Sequence, residues 1–126
     1  MGGEHTTPID CLDSNPVESR CLTRSEIAAV ARALGHPVRL QILDLFHDRC
    51  PRTAGDIVAE LPLAQSTVSA HLSVLRDAGV VRTMRADPRI WHCLNRSTLA
   101  AFVVAVSVIA RRSEGVEPVL AASQPG

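Results

Sequence analysis

The sequence predicts a mainly α-helical fold with one small β-hairpin, and three observations lead to this fold class. First, Val68, Leu72 and Leu75 lie at i, i+4 and i+7, on one apolar stripe of a helix. Second, a shorter helix precedes this one across a connection of only a few residues. Third, two strand-like runs follow, 80–85 and 90–94. A helix-turn-helix followed by a hairpin, or wing, predicts a winged helix-turn-helix.

The first predicted helix begins near residue 24, with Ser25 as its N-cap, and ends at Gly35. Its apolar positions recur at helical spacing: Ile27, Val30, Ala31 and Leu34. The second predicted helix begins at His36-Pro37, because the missing N–H of proline costs nothing in a first turn, and it ends before Pro51. Because the second helix is apolar nearly all round, we expect it at the centre of the core.

The third predicted helix is short, running from Ala54 to Leu61 before Pro62 stops it. Thr53 is expected to cap this helix, with Asp56 three residues on in a capping-box arrangement.

The fourth predicted helix has an unusual polar face. Ala64 occupies its N-cap position and offers no side-chain oxygen, and Gly79 follows its C-terminus. A Ser/Thr-rich surface helix is the alternative interpretation. However, small side chains without acidic charge suit a helix that enters the major groove of DNA. The predicted DNA-binding residues of this helix are Gln65, Ser66, Thr67, Ser69, Ala70, His71 and Ser73.

Basic side chains follow in the hairpin. Arg82, Arg85 and Arg89 are expected on or near its tip, beside the predicted loop 86–89, where guanidinium groups can hold phosphates or enter the minor groove. With 126 residues, the chain fits one domain of zero net charge. The charge is nevertheless polarised, since residues 65–96 contain five arginines against two aspartates, whereas the N-terminus is acidic.

The last predicted helix, 97–112, leaves almost no polar face. It is too short for a membrane span, and a second copy of the chain is the expected cover. The pattern therefore predicts a homodimer whose interface is built from this helix and the first helix, 24–35. The helical domain is therefore expected over 24–113, between a flexible acidic arm, 1–23, and a disordered tail, 114–126. Without a recognisable signal peptide, a cytoplasmic location with reduced thiols is expected.

Two segments carry a resemblance to a known family. Residues 33–43, ALGHPVRLQIL, and 65–79, QSTVSAHLSVLRDAG, resemble the ArsR/SmtB family of bacterial repressors, and the likeness covers roughly 26–112. The resemblance implies a winged-helix homodimer that sits on an inverted repeat of double-stranded operator DNA. It also implies a protein that leaves DNA when a metal, metalloid or other inducer binds.

The four cysteines bear on the inducer. The third helix lacks the cysteine pair that such arsenic and lead sensors carry, and 97–112 lacks the Asp, His and Glu ligands of zinc and nickel sensors. The remaining candidate metal ligands are Cys11, Cys21 and Cys50, because the extended arm is long enough to reach the end of the second helix. Three thiolates suit a soft ion. Arsenite or antimonite, As(III) or Sb(III), fits best, and cadmium or lead would also bind.

Other interpretations of these residues remain open. Cys50 can be a small buried hydrophobe, His5 can join Cys11 and Cys21 in a zinc site, or those two cysteines can form a disulfide in response to oxidation. Cys93 is expected to face solvent without a role. His71 and His92 are interpreted as phosphate or base contacts, or as packing, rather than metal ligands.

The sequence disfavours two other classes of protein. An enzyme is disfavoured, because His47 and Cys50 lack a third orienting group and no Gly-rich phosphate loop is present. An adaptor that contacts only proteins is disfavoured by the basic wing.

Overall fold

The computed structural model describes residues 21–112, and the predicted arm and tail lie almost wholly outside this range. The mainly helical fold with a small antiparallel sheet is confirmed. Its elements are α1 (Arg24–Leu34), α2 (Pro37–Asp48), β1 (Arg52–Thr53), α3 (Ala54–Val58), α4 (Gln65–Asp77), β2 (Val81–Ala86), β3 (Arg89–Leu94) and α5 (Arg96–Arg112).

The start of α1 differs from the prediction. Thr23, and not Ser25, is the N-cap, because its hydroxyl accepts a hydrogen bond from the Glu26 backbone N–H at 3.1 Å. The Glu26 carboxylate in turn accepts the Thr23 N–H at 2.8 Å, which completes a capping box. Ser25 is exposed within the first turn, and Ala31, expected on the apolar face, is exposed as well.

Helix α2 begins as predicted. Pro37 is its first residue, and Nδ1 of His36 accepts the Val38 N–H at 3.2 Å. Ile42 and Phe46 are buried in the core, as expected of a central helix. Leu40 is exposed, so one side of this apolar helix is uncovered in the single chain.

Helix α3 is capped as predicted but is shorter. The Thr53 hydroxyl accepts the Asp56 N–H at 3.1 Å, and the Asp56 carboxylate accepts the Thr53 N–H at 3.0 Å. Beyond Val58 the chain makes i→i+3 hydrogen bonds, from Glu60 N–H to Ile57 and from Leu61 N–H to Val58. The helix therefore tightens into a turn before Pro62.

The apolar stripe of α4 is confirmed, since Val68, Leu72 and Leu75 are all buried. At its end Gly79 has φ +83°, a left-handed conformation that glycine adopts without a Cβ clash. The Gly79 N–H bonds to the Arg76 carbonyl and the Val80 N–H to the Leu75 carbonyl, both at 2.9 Å. These two bonds form a Schellman motif.

The sheet has the strand order β1-β3-β2, and all its pairs are antiparallel. The pairing of Ala86 with Arg89 leaves a loop of only Asp87 and Pro88, tighter than the predicted 86–89 loop. Strand β1 was not predicted, because two residues show no alternation of polar and apolar positions. It makes β3 the central strand.

Helix α5 packs on the domain through one narrow side, where Thr98 and Ala101 are buried. Its outer side is apolar and exposed, as the sequence indicated: Val103, Val104, Val106, Val108 and Ile109 are between 44% and 62% exposed. We call these five residues the α5 apolar face. Among residues 21–112, no helix is long and apolar enough to span a membrane.

Candidate nucleic-acid interface

The predicted DNA-reading side chains of α4 lie mostly at the surface. The two that are half-buried are His71 and Ser73, while the exposed ones are Gln65, Ser66, Thr67, Ser69 and Ala70. The buried stripe on the other side fixes the rotation of the helix, so the polar side faces outward. Ala64 makes no side-chain cap, as expected from its methyl group.

His71 is held by residues that the sequence reasoning did not connect with it. Arg39 Nε donates to His71 Nδ1 at 3.2 Å, and the His36 ring meets the His71 ring edge-on with centroids 4.7 Å apart. Burial, followed by the nearby charges of His36 and Arg39, lowers the pKa of His71. Because Nδ1 accepts a hydrogen bond, the neutral ring carries its proton on Nε2 and offers a donor there.

The wing places two of its three predicted arginines at the tip. Arg85 pairs with Ile90 and Arg89 with Ala86, and both arginines are exposed. Arg82 does not lie near the tip, so that expectation is wrong. The register pairs it with Cys93 at the base of the hairpin, where the side chain is half-buried. Contact of these arginines with DNA stays a prediction.

One further arginine, Arg76, lies in the last turn of α4. Its side chain is half-exposed and pairs with Asp77 at 3.2 Å. An exposed pair of this kind holds a guanidinium only weakly. Arg76 lies seven residues after Ser69, and this helical spacing could have indicated that the two share a side of the helix.

Two of the cysteines are free thiols. Cys21 is exposed and Cys50 is half-buried. Burial raises the pKa of the Cys50 thiol, although the Leu94 backbone and the charges of Arg96, Arg52 and Arg82 oppose this effect. Cys50 is therefore mainly protonated at neutral pH, and a metal must displace its proton.

Cys93 contradicts two expectations. It is completely buried rather than solvent-facing, and it is disulfide-bonded rather than reduced. Its burial follows from its place in the central strand, since β3 has β1 and β2 on its two edges and contacts α2 and α3.

The predicted thiolate site is only partly within the structure. Among residues 21–112, no three His, Cys, Asp or Glu side chains form a group that could hold a metal ion. Cys11 and His5 lie outside the described residues. The combination of Cys11, Cys21 and Cys50 therefore stays a prediction.

The fold resembles solved winged-helix structures. An ArsR-like transcriptional regulator from Rhodococcus sp. RHA1 superposes with a TM-score of 0.68 at 21% identity, covering 76% of this chain and 90% of that one. A homodimeric winged helix-turn-helix DNA-binding domain from Mycobacterium bovis has a TM-score of 0.55 at 26% identity, covering 71% and 84%. The fold and the exposed face of α4 define a winged helix-turn-helix DNA-binding protein.

The amino-acid sequence is also similar to known regulators. Residues 36–83 match the profile described as bacterial regulatory protein, arsR family. The biofilm growth-associated repressor of Agrobacterium fabrum is 32% identical over 85 residues, which are 68% of this chain and 72% of that protein. The transcriptional repressor SdpR of Bacillus subtilis is 34% identical over 70 residues, 56% of this chain and 77% of that protein. The chain belongs to the arsR family of bacterial regulatory proteins, which is a family of DNA-binding regulators and not of enzymes.

Proposed function

We propose that this protein is a transcriptional repressor that binds an inverted repeat in operator DNA as a homodimer in the cytoplasm. The observation that carries the proposal is the exposed, acid-free face of α4 beside the two exposed arginines of the wing tip. In this arrangement α4 reads base edges in the major groove, and Arg85 and Arg89 hold the phosphate backbone. The two relatives described above are named repressors.

The α5 apolar face supports the dimer. Five large aliphatic side chains on one helix form a patch that single proteins in water rarely expose. Leu40 of α2 is an additional exposed apolar side chain. A second copy of the chain covers this face in the proposed assembly, and the similar domain from Mycobacterium bovis is described as homodimeric. The two α4 helices then lie one DNA turn apart, which matches an inverted repeat.

The proposed inducer is a thiophilic ion, most readily As(III) or Sb(III), bound through Cys11, Cys21 and Cys50. The site requires the fully reduced chain, in which the disulfide of Cys93 is open, because all three ligands must be free thiols before metal binding. Cys21 and Cys50 are free thiols in the structure. Cys50 lies two residues after the end of α2, and the charge of Arg96, at the start of α5, lowers the pKa of its thiol against the larger effect of burial. A ligand there can therefore bias how the α5 helices meet, and it releases DNA only as far as it prefers the second dimer geometry.

Thiol oxidation is the second candidate signal, and the disulfide at Cys93 favours it. The Leu94 backbone forms a hydrogen bond that lowers the pKa of Cys50, and Leu94 is next to Cys93 in the chain. A free thiol therefore lies close to an oxidised cysteine in the fold. In a thiol–disulfide exchange the Cys50 thiolate attacks one sulfur of the disulfide, a new S–S bond forms and the other sulfur leaves as a thiolate. The number of disulfides does not change, so an oxidant such as diamide is needed only to form the first disulfide. The raised pKa of Cys50 makes this exchange slow at neutral pH and faster in alkaline solution.

Fluorescence anisotropy of the full chain on its promoter DNA tests this proposal. Arsenite is titrated into the reduced protein with zinc as the control ion, and diamide is added in a separate arm. Release by micromolar arsenite that is lost in Cys50→Ser supports the metalloid inducer. Release by diamide alone supports oxidation, and tight binding that neither reagent changes contradicts both signals while keeping the repressor.

A further inference from the structure

A cleft of about 500 Å³ lies between α4 and the wing, with the first residues of α3 at its edge. We call it the wing cleft. Its volume falls in the usual range of about 300–1,000 Å³ for small-ligand sites. The side chains that matter for its chemistry are Ser69, Ser73 and Arg76 from α4, and Thr83, Arg89, Ile90 and His92 from the wing.

The charge of the wing cleft is positive. Arg76 and Arg89 both line it, and no carboxylate is among its described lining residues. The hydroxyls of Ser69, Ser73 and Thr83 add hydrogen-bonding groups without adding negative charge. Because the Asp77 partner of Arg76 is strongly exposed, that pair is weak and leaves the guanidinium able to bind an anion.

His92 gives the cleft a buried polar group. His92 is 9% exposed, and its buried Nδ1 has no hydrogen-bond partner among residues 21–112. Burial, followed by the charge of Arg76, lowers the pKa of His92, so the ring is neutral at pH 7. A buried polar atom without a partner is costly, and a ligand atom that bonds to it removes this cost.

The wing cleft also has apolar walls. Leu72 lies at its base among the buried core residues, and Ile90, 47% exposed, lies on the wing side with Pro88. A bare inorganic ion covers none of this surface. A ligand with an apolar body removes it from water, which stabilises the complex in proportion to the area covered.

We propose that the wing cleft binds a small organic anion with an apolar body, of the class of aromatic carboxylates. The carboxylate lies between Arg76 and Arg89, and the ring packs on Ile90 and Pro88. Where the ligand carries a second polar atom, His92 bonds to it. Such an occupant lies against both α4 and the wing, so it opposes DNA binding. This regulatory consequence rests on the proposed function, whereas binding of the anion does not.

Calorimetric titration of the reduced full chain without DNA tests the site. The probes are benzoate and indole-3-acetate, with uncharged benzamide and inorganic phosphate as controls. We expect saturable binding of a carboxylate probe that is about tenfold or more tighter than benzamide or phosphate, because a charged hydrogen bond and apolar burial are both needed. Arg76→Gln is expected to weaken it about tenfold. Arg24→Gln, at an exposed arginine that does not line the cleft, is expected to leave it unchanged.

Several results overturn the proposal: no saturable binding of either carboxylate, equal binding of benzamide, equal binding of phosphate, or equal loss in Arg76→Gln and Arg24→Gln. Ile90→Ser provides a second check, because this exposed position tolerates a polar side chain while the apolar wall is lost. Promoter DNA is titrated separately into the same unliganded protein. DNA binding without carboxylate binding removes the cleft proposal alone, and carboxylate binding without DNA binding removes the repressor alone.

Discussion

At the scale of single residues, two histidines link stability to pH. Burial lowers the pKa of His71 and His92 below the ordinary value of 6.5, so the unfolded chain binds protons more readily than the folded one. Their contribution is fully present above about pH 6.5 and is lost as pH falls through the lower pKa values of the folded state. Asp56, whose pKa is lowered from 3.8 because hydrogen bonds from Thr53 outweigh the opposing effect of burial, does not titrate in this window.

We therefore predict a lower melting temperature at pH 5.5 than at pH 7.5, measured by circular dichroism at constant ionic strength. The difference in melting temperature between the two pH values is expected to narrow in His92→Gln, which removes one of these two histidines. An equal or higher melting temperature at pH 5.5 contradicts this argument.

At the scale of one element, the start of α4 lacks a cap. Ala64 has extended backbone angles suited to an N-cap, φ −70° and ψ 152°, but offers no oxygen to the first turn. We predict that Ala64→Ser raises the free energy of unfolding by about 0.5–2 kcal/mol. Urea denaturation measures this change, and Ala59→Ser, at an exposed position after α3, is the control. If Ala64→Ser does not raise the free energy of unfolding, or if only Ala59→Ser raises it, the hydroxyl does not cap α4.

The elements also show how far the sequence determines this fold. The α4 stripe, the Thr53–Asp56 capping box and the Gly79 terminus were predictable, because each depends on residues within one turn or one helix. Strand β1 and the burial of Cys93 were not predictable from the sequence, because both arise from pairing with distant residues. The contact of Arg39 with His71 joins residues 32 positions apart and has no local signal.

The candidate site follows the same division. Its exposed α4 residues could be predicted from helical periodicity, since burial of the opposite stripe determines which side faces solvent. The register of the hairpin could not be predicted from helical periodicity, and this register places Arg82 at the base of the wing. The wing cleft forms where α3, α4 and the hairpin pack together, so its shape could not be predicted from the sequence.

At the scale of the whole molecule, the α5 apolar face is the proposed dimer interface. We predict that the wild-type chain sediments as a dimer at micromolar concentration and that Val104→Glu, on this face, converts it to a monomer in sedimentation velocity, because the substitution buries a charge in an apolar interface. Ile90→Glu is the matched control, since Ile90 is a similarly exposed aliphatic residue on the wing. A Val104→Glu variant that sediments like the control contradicts an interface built on α5.

The most direct test of the central claim is the salt dependence of DNA binding by wild-type, Arg89→Gln and Arg24→Gln proteins. Fluorescence anisotropy with promoter DNA gives the slope of log K against log salt concentration. If the wing tip holds phosphates, Arg89→Gln reduces the magnitude of that slope by about 1 and weakens binding to all sequences, while Arg24→Gln changes neither. Identical slopes for all three proteins contradict the assignment of the α4 and wing surface to DNA.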